Sequence, residues 1–155
     1  MSRAASRQSQ KQQKPQKSRQ SGCPISFSLD IFGDRWTLLV LRDLLMHDKR
    51  RYREFLSSDE GIASNILSDR LKRLKDRGII ARDADPDDKR QVIYTATPKG
   101  RSLLPILLEI AAWGASHDEN TAAPSRFAES FYADRAAFYD NHRELIARLF
   151  EEDER

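Results

Sequence analysis

Residues 61–77 read GIASNILSDRLKRLKDR, and this stretch decides the fold. At 3.6 residues per turn, Leu67, Leu71 and Leu74 fall on one stripe of a helix, with Ile66 at its margin. A helix with such a stripe buries that side against other parts of the chain. The opposite side carries polar residues, which are Asn65, Ser68, Asp69, Lys72, Arg73 and Asp76. The stretch therefore predicts an amphipathic helix over residues 62–77 with a polar outer face.

The polar outer face has small and amide side chains in its first turns and cations in its later turns. Small groups allow a close approach to a surface, an amide pairs with a base edge, and cations reach phosphates. These features are typical of a helix that enters the major groove of double-stranded DNA. We therefore expect base-edge contacts from Asn65, Ser68 and Lys72, and the alternative is an inert solvated face. Asp69 is expected to pair with Arg73 four residues later.

Three helices and one turn are predicted before this helix. Residues 25–32 form an apolar helix that ends near Gly33. A second helix starts at Asp34 and is apolar around most of its circumference, so it must be central. Residues 50–56 form a third, short helix, and residues 57–61 have the composition of a turn. Two helices joined by a short turn, the second with a polar outer face, form a helix-turn-helix.

A hairpin is predicted directly after the helix. Gly78 is a C-cap glycine, and residues 79–82 and 91–96 form two strands. Residues 85–90 are rich in Asp and contain a proline, as hairpin tips often are. Such a hairpin is the wing of a winged helix-turn-helix, and we expect residues 85–91 to lie on the DNA backbone.

Two longer helices complete the prediction. Thr97 is expected to cap a helix that runs to residue 117 and is kinked by Pro105, and a last helix is expected over residues 125–150. The predicted fold class is mainly α with a small β-hairpin wing, a winged helix-turn-helix with C-terminal helices for dimerisation. The predicted divisions are a disordered basic arm (1–21), a winged helix-turn-helix DNA-binding domain with its dimerisation helix (22–117), and a C-terminal helical extension (118–155).

Charge is distributed unevenly along the 155 residues, although the formal net charge is only +3. The first 21 residues carry six bases and no acids, and residues 118–155 carry ten acids and five bases. The arm lacks large apolar residues, so it is predicted to be disordered. No signal-peptide core or apolar run of ~18 residues occurs, so we expect a cytoplasmic, nucleoid-associated protein without a membrane anchor. A single cysteine excludes an internal disulfide framework.

Seven ordered segments resemble the HxlR-type winged helix-turn-helix transcriptional regulators. They span roughly residues 22–117 and are Cys23-Pro24, GDRWTLLVLRDLL from Gly33, RYREF from Arg51, GIASNILSDRLKRL from Gly61, GII from Gly78, YTATPKG from Tyr94, and Leu104-Pro105 with Trp113. The resemblance implies a dimeric repressor or activator whose third and fourth helices enter the major groove. It also implies that the first helix and the long helix after the wing pair the two subunits. The wing DPDDKRQ (85–91) is closer to that of MarR-type regulators.

Contacts with the DNA backbone are expected from residues around the helix-turn-helix and on the wing. The candidates are Arg50, Arg51, Arg53, Ser64, Arg73, Lys89 and Arg90. Ser64 is expected to cap the helix or to contact a phosphate. The alternative for the cations is ordinary solubility charge, which Asp87 and Asp88 beside Lys89 partly favour.

Cys23 is a candidate redox sensor. It follows the basic arm and lies near the start of the first predicted helix, and both features favour the reactive thiolate. In the family that the chain resembles, some members use a cysteine in this Cys-Pro position to sense electrophiles or oxidants. The alternative is an inert thiol.

A homodimer interface is expected on the first helix and on the helix after the wing. Its candidate residues are Phe27, Ile31, Leu107, Ile110 and Trp113. Two-fold symmetry would give a helix-turn-helix protein its half-site spacing. The alternative is that these residues and the apolar stripe of the last helix form the core of a monomer.

The sequence has no catalytic or cofactor-binding constellation, so we expect neither an enzyme nor a metal or cofactor. Its three histidines are scattered, and one cysteine cannot build a His/Cys zinc site of the usual spacing. The predicted function is a homodimeric regulator of transcription, a repressor in our interpretation, with a thiol switch or a small effector molecule. The alternative is a winged-helix protein-interaction module without specific DNA binding.

Overall fold

The computed structural model describes residues 21–153, which form eight helices and one antiparallel hairpin. The elements in chain order are α1 (Pro24–Phe32), α2 (Arg35–Leu45), α3 (Tyr52–Leu56), α4 (Ser64–Asp76), β1 (Ile80–Ala84), β2 (Val92–Ala96), α5 (Pro98–Arg101), α6 (Leu104–His117), α7 (Phe127–Ala133) and α8 (Arg135–Asp153). The predicted arm, residues 1–21, lies outside the described residues except for Ser21. No helix within residues 21–153 combines the length and the apolar character that crossing a bilayer would need.

Local sequence signals set several helix ends as predicted. The Asp34 side chain accepts a hydrogen bond from the backbone N–H of Thr37 at 3.1 Å and so begins α2. Gly78 follows α4 with a φ of +69°, which glycine adopts without steric strain. Thr97 caps α5 by accepting the backbone N–H of Gly100 at 3.1 Å. These three residues therefore determine where α2 and α5 begin and where α4 ends.

The hairpin β1–β2 confirms the predicted wing. Its strands are antiparallel, and the register pairs Ile80 with Ala96 at the base. An isolated bridge between Arg51 and Ile93 joins the start of α3 to β2. The hairpin is therefore attached to the helix-turn-helix along one edge as well as through the end of α4.

The main core lies between α2, α4 and the hairpin. The predicted stripe of α4 is buried in it, and it packs with residues of α2, α3, β1 and β2. Its fully or nearly fully buried members include Val40, Leu41, Leu44, Phe55, Leu67, Leu71, Leu74, Ile79, Ile80 and Tyr94. Since the leucines of α4 bury only one side, the polar outer face of that helix is left outside the core.

A second core joins the C-terminal segment, residues 118–153, to α6. Leu108 and Ala112 of α6 pack with an apolar set from α7 and α8, namely Phe127, Phe131, Phe138 and Leu149. The apolar stripe predicted for the last helix is therefore part of the monomer core and not of a dimer interface. The C-terminal segment covers one side of α6.

The prediction of one continuous helix over residues 125–150 was wrong. The chain breaks at Asp134, whose side chain accepts the backbone N–H of Ala137 at 3.0 Å and starts α8 anew. Within α8, Asn141 has non-helical angles (φ −127°, ψ 25°) and kinks the helix. The predicted kink near Pro105 is a full break, because α5 ends at Arg101 and α6 begins at Leu104.

Candidate nucleic-acid interface

The polar outer face of α4 is exposed to solvent along the whole helix. Asn65, Ser68 and Lys72, the predicted base-contact residues, are all exposed, whereas Leu67 and Leu71 on the opposite side are buried. No other described element covers these three side chains. A duplex could therefore approach the side of α4 that carries them.

Ser64 does not cap the helix, contrary to one of its two expected roles. It is the first residue of α4, and the preceding Ala63 has no side chain that could accept a hydrogen bond. The backbone N–H groups of this exposed first turn therefore lack a side-chain cap. Such a helix start can receive a phosphate oxygen.

Tyr52 of α3 holds the start of α4, a role that its position in the sequence does not indicate. Its hydroxyl donates to the backbone carbonyl of Ser64 at 2.8 Å and lies 3.1 Å from Oγ of Ser68. Since the tyrosine proton is used on the carbonyl, the Ser68 hydroxyl is left to donate to the tyrosine oxygen. The lone pairs of Ser68 Oγ can then accept a hydrogen bond from outside.

Two cations of the outer face, Lys72 and Arg73, are held in exposed ion pairs on the same helix, whereas Arg70 is mostly buried and pairs with Asp34 at 2.7 Å. Lys72 Nζ lies 2.8 Å from Asp76 Oδ2, and this hydrogen bond raises the pKa of Lys72 and lowers that of Asp76. Asp69 contacts Arg70 most closely, and Arg73 Nη1 is 3.9 Å away, so the expected Asp69–Arg73 pair is the weaker of two. Exposed pairs of this kind contribute little stability, and a phosphate can compete for the cations.

Two further cations, Lys75 and Arg82, lie beside the predicted contact residues. They line a groove of about 270 Å³ between α4 and the hairpin, together with Tyr52, Ser68 and Lys72. Arg82 is opposite Tyr94 in the hairpin register, so the fold rather than the sequence brings it next to α4. In the sequence, the alternation of side chains along the strand after Gly78 could have indicated on which face of the hairpin Arg82 lies.

Arg51 is held in an ion pair within the protein, a structural role that the sequence did not predict. Its Nε lies 2.6 Å from Oδ2 of Asp85, a carboxylate that is only 1% exposed at the start of the wing loop. The hydrogen bond from Arg51 lowers the pKa of Asp85, and the other carboxylate oxygen accepts the backbone N–H of Asp87 at 2.9 Å. Arg51 therefore anchors the wing to α3.

Arg50 also has a different position from the one expected. It pairs with Asp48 at 3.0 Å and lines a cleft against α8 with His142 and Arg143. Arg53 is exposed, and within residues 21–153 it forms no ion pair. Of the three cations at the start of α3, Arg53 is thus the one without an ion pair in the described part of the chain.

The wing tip carries its predicted cations into solvent. The side chain of Arg90 is 93% exposed and lies 3.3 Å from Asp88, which also accepts the backbone N–H of Arg90. Lys89 is exposed without an ion pair in the described part of the chain. Both side chains are therefore accessible to a DNA backbone.

The candidate dimer residues are divided between exposed and buried positions. Trp113 is 62% exposed and stacks on His117, and Ile110 is 47% exposed on the same helix. Leu107 is only 6% exposed and belongs to the main core, so its predicted place in a dimer interface was wrong. Phe27 and Ile31 on α1 are half-buried.

The exposed part of α1 offers other apolar residues than the predicted ones. Ile25 is 68% exposed and Leu29 is also exposed, whereas α1 contains no fully buried residue. Cys23 immediately precedes α1 and is exposed as a free thiol. Among the described residues, no group of His, Cys, Asp and Glu has the arrangement of a metal site.

Comparisons with known proteins match the helix-turn-helix and the wing. Residues 31–122 match the family described as HxlR-like helix-turn-helix. The HTH-type transcriptional regulator YvaP of Bacillus subtilis is 35% identical over 92 residues, which are 59% of this chain and 84% of YvaP. The HTH-type transcriptional regulator sll1512 of a Synechocystis strain is 34% identical over 93 residues, 60% of this chain and 68% of that protein.

A solved structure agrees with these relatives. The redox regulator HypR in its oxidised form aligns with a TM-score of 0.55 and 32% identity, over 62% of this chain and 98% of the HypR chain. The family match ends at residue 122, before α7 begins at Phe127. The helices α7 and α8 therefore lie outside the matched region.

Proposed function

This chain belongs to the HxlR-like helix-turn-helix family, and on that premise we propose that it is a sequence-specific DNA-binding regulator of transcription. Helix 62–77 enters the major groove, and the wing, residues 85–91, lies on the backbone. The observation that carries this proposal is the exposed polar face of α4, with Lys75 and Arg82 beside it. No large apolar side chain of α4 is exposed, so nothing favours the alternative of a protein-interaction module.

The direct test is a gel shift with fragments of the promoters of the protein's own gene and its neighbours. We expect retardation of one or more fragments that survives an excess of unrelated DNA, because base contacts add specificity to the backbone contacts. Binding that unrelated DNA removes completely would contradict a sequence-specific regulator. Repression is proposed in addition, and it requires that transcription from the bound promoter falls when the protein is added.

A homodimer is proposed as the binding species. The exposed Ile110 and Trp113 on α6 and the exposed Ile25 and Leu29 on α1 are apolar surface that a second copy could bury. Two α4 helices about 34 Å apart would then read successive major grooves on one side of the duplex. Sedimentation of the full chain at micromolar concentration should give two chains per particle, and a monomer would exclude this arrangement.

We expect the wing cations to contribute mainly through counterion release. The Lys89→Ala, Arg90→Ala variant should lower the slope of log affinity against log salt by about 1.8, because each phosphate contact contributes about 0.9. The slope is measured by fluorescence anisotropy of labelled DNA between low and moderate salt. The control is the Arg126→Ala, Arg148→Ala variant, which removes two exposed cations from the C-terminal segment. Equal slopes for the two variants would show that the wing does not contact the backbone.

Cys23 is proposed as a thiol that modulates DNA binding. Its exposure before α1 supports this role, and HypR, which has a similar fold, is a redox regulator with an oxidised form. Oxidant should change the DNA affinity of the unmodified chain several-fold, and Cys23→Ser should abolish the change. The same response in both chains would assign the effect to another group. No response in either would mean that the thiol is inert.

A further inference from the structure

A cleft of about 500 Å³ lies where the C-terminal segment packs against the end of α2 and one side of α6. Its lining is mainly apolar, with Met46, Ala111, Ala123, Phe127 and Ile146 among its residues. Clefts of this size with apolar walls and a few polar groups are typical of small-molecule sites. Half of the lining residues come after residue 122, so the complete cleft requires a part of this chain beyond the matched region.

Arg143 is the polar group of this cleft that is best placed to bind an anion. Only its Nη2 has partners among the described residues, the Leu45 carbonyl at 3.3 Å and Asp48 Oδ1 at 3.4 Å, and both contacts are long. Its Nε and Nη1 have none within residues 21–153. Arg50 holds Asp48 more closely, at 3.0 Å, so the negative charge of Asp48 is shared between Arg50 and Arg143. A guanidinium with unused donors can bind a carboxylate with two hydrogen bonds.

The other polar residues of the cleft limit the charge of its ligand. Arg42 is already paired with Asp43 at 2.7 Å and with Glu60 at 2.9 Å. Burial and the charge of Arg42 lower the pKa of His47, which favours its neutral ring. Arg143 is therefore the cation of the cleft with unused donors, and one carboxylate, Asp48, contacts it at 3.4 Å. This balance suits a ligand with a single negative charge and disfavours a phosphate ester with two.

We propose that this cleft binds a small molecule with an apolar body and one carboxylate, which pairs with Arg143. The apolar body lies against Met46, Ala123 and Ile146. A ligand of this class would join the C-terminal segment to the helix-turn-helix, because the cleft has walls from both.

Binding also weakens the affinity for DNA, and this half of the proposal rests on the proposed function. Arg42 and His47 line the cleft, and both contact Oδ1 of Asp43, His47 at 3.4 Å. The other oxygen of Asp43 accepts hydrogen bonds from Lys49 and from Ser58, which lies in the turn between α3 and α4. Arg42 therefore connects the cleft to this turn through Asp43, and the negative charge of a carboxylate on Arg143 competes with Asp43 for Arg42, which loosens the turn.

The test is calorimetric titration of the full chain, without DNA, with three probe acids: benzoate, 2-naphthoate and decanoate. We expect at least one acid to saturate a single site per chain. For 2-naphthoate, the neutral 2-naphthamide should bind at least about ten-fold more weakly, since it lacks the charge-assisted pair. Methyl signals of Ala111, Ala123 and Ile146 should shift in nuclear magnetic resonance spectra on titration.

Variants on α8 separate the cleft from a general charge effect. Arg143→Gln should weaken binding of the acid about ten-fold, with partial recovery in Arg143→Lys. Arg148→Gln removes the same charge from an exposed position of the same helix outside the cleft, and it should bind as the unmodified chain does. No saturable binding by any of the three acids, or equal binding by the two glutamine variants, would overturn the proposal.

The effect on DNA affinity is measured with the promoter fragment that the chain binds, with and without saturating acid. We expect the acid to lower affinity at least about five-fold in the unmodified chain and in Arg148→Gln, and not in Arg143→Gln. Saturable binding without a change in DNA affinity overturns the effector half. If the chain without acid binds no DNA, the proposed function fails, but the calorimetric result still decides the ligand site.

Discussion

We expect the Asn65→Ala, Lys72→Ala variant to bind its specific DNA site on the order of 100- to 1,000-fold more weakly than the unmodified chain. Each base-edge hydrogen-bond pair contributes about 1–3 kcal/mol of discrimination, and each 1.4 kcal/mol is a factor of ten. Both side chains are exposed on α4, so their removal changes no core contact. Anisotropy titrations with the promoter fragment measure the effect.

The two single variants distinguish base reading from backbone attraction. Asn65→Ala should weaken binding to the specific fragment and leave binding to unrelated DNA unchanged, because an amide carries no net charge. Lys72→Ala should weaken both. As a control, Asn120→Ala, Arg148→Ala removes one amide and one cation from the segment after α6 and should leave the affinity unchanged. An equal loss on specific and unrelated DNA for Asn65→Ala would mean that this residue does not read a base.

The helix-turn-helix and the wing could be predicted because their signals are local. The leucine spacing of α4 decides which side is buried, Gly78 supplies the positive φ that ends the helix, and Asp34 and Thr97 cap the helices that they precede. Each of these signals lies within one or two helical turns. Tertiary packing did not need to be known to interpret them.

The roles of the arginines could not be predicted from local sequence. Arg51 and Asp85 are 34 residues apart, and the bridge between Arg51 and Ile93 brings the start of α3 close to the start of the wing loop. Arg50 is one residue earlier, yet it lies against α8. Adjacent cations with equal charge therefore have different functions, which depend on contacts that the fold makes across long separations.

The division between core and interface on α6 was only half predictable. The sequence shows apolar residues around most of this helix, so it cannot tell which of them face a partner copy. In the structure, Leu107 and Leu108 are buried on the sides that pack inward, whereas Ile110 and Trp113 are exposed. The second core that covers Leu108 depends on a turn at Asp134. This turn contains no glycine or proline from which it could be predicted.

Replacing Asp43 with asparagine should have the largest effect on stability, a loss of about 3 kcal/mol in the free energy of unfolding. The side chain is 4% exposed and pairs with Arg42 at 2.7 Å and Lys49 at 3.2 Å, in addition to its hydrogen bond from Ser58. Removing one partner of a buried charge pair typically costs about 3–5 kcal/mol, and Arg42 keeps Glu60 at 2.9 Å, which favours the low end. Urea unfolding followed by circular dichroism measures the change.

The matched control is Asp76→Asn, which removes an exposed carboxylate from the end of α4 and should leave the unfolding midpoint unchanged.

The loss of stability in Asp43→Asn should also depend on pH in a definite direction. Burial alone would raise the pKa of Asp43, but the hydrogen bonds from Ser58 and Arg42 and the charge of Arg42 outweigh it and hold the pKa below the ordinary value of 3.8. The stabilisation is therefore complete above that value and is lost as the pH falls through the lower pKa of the folded state. The stability difference between the unmodified chain and Asp43→Asn should be constant near neutral pH and shrink below about pH 4. A difference that stays the same down to pH 3, or one that grows on acidification, would show that the charge of Asp43 does not support the turn before α4.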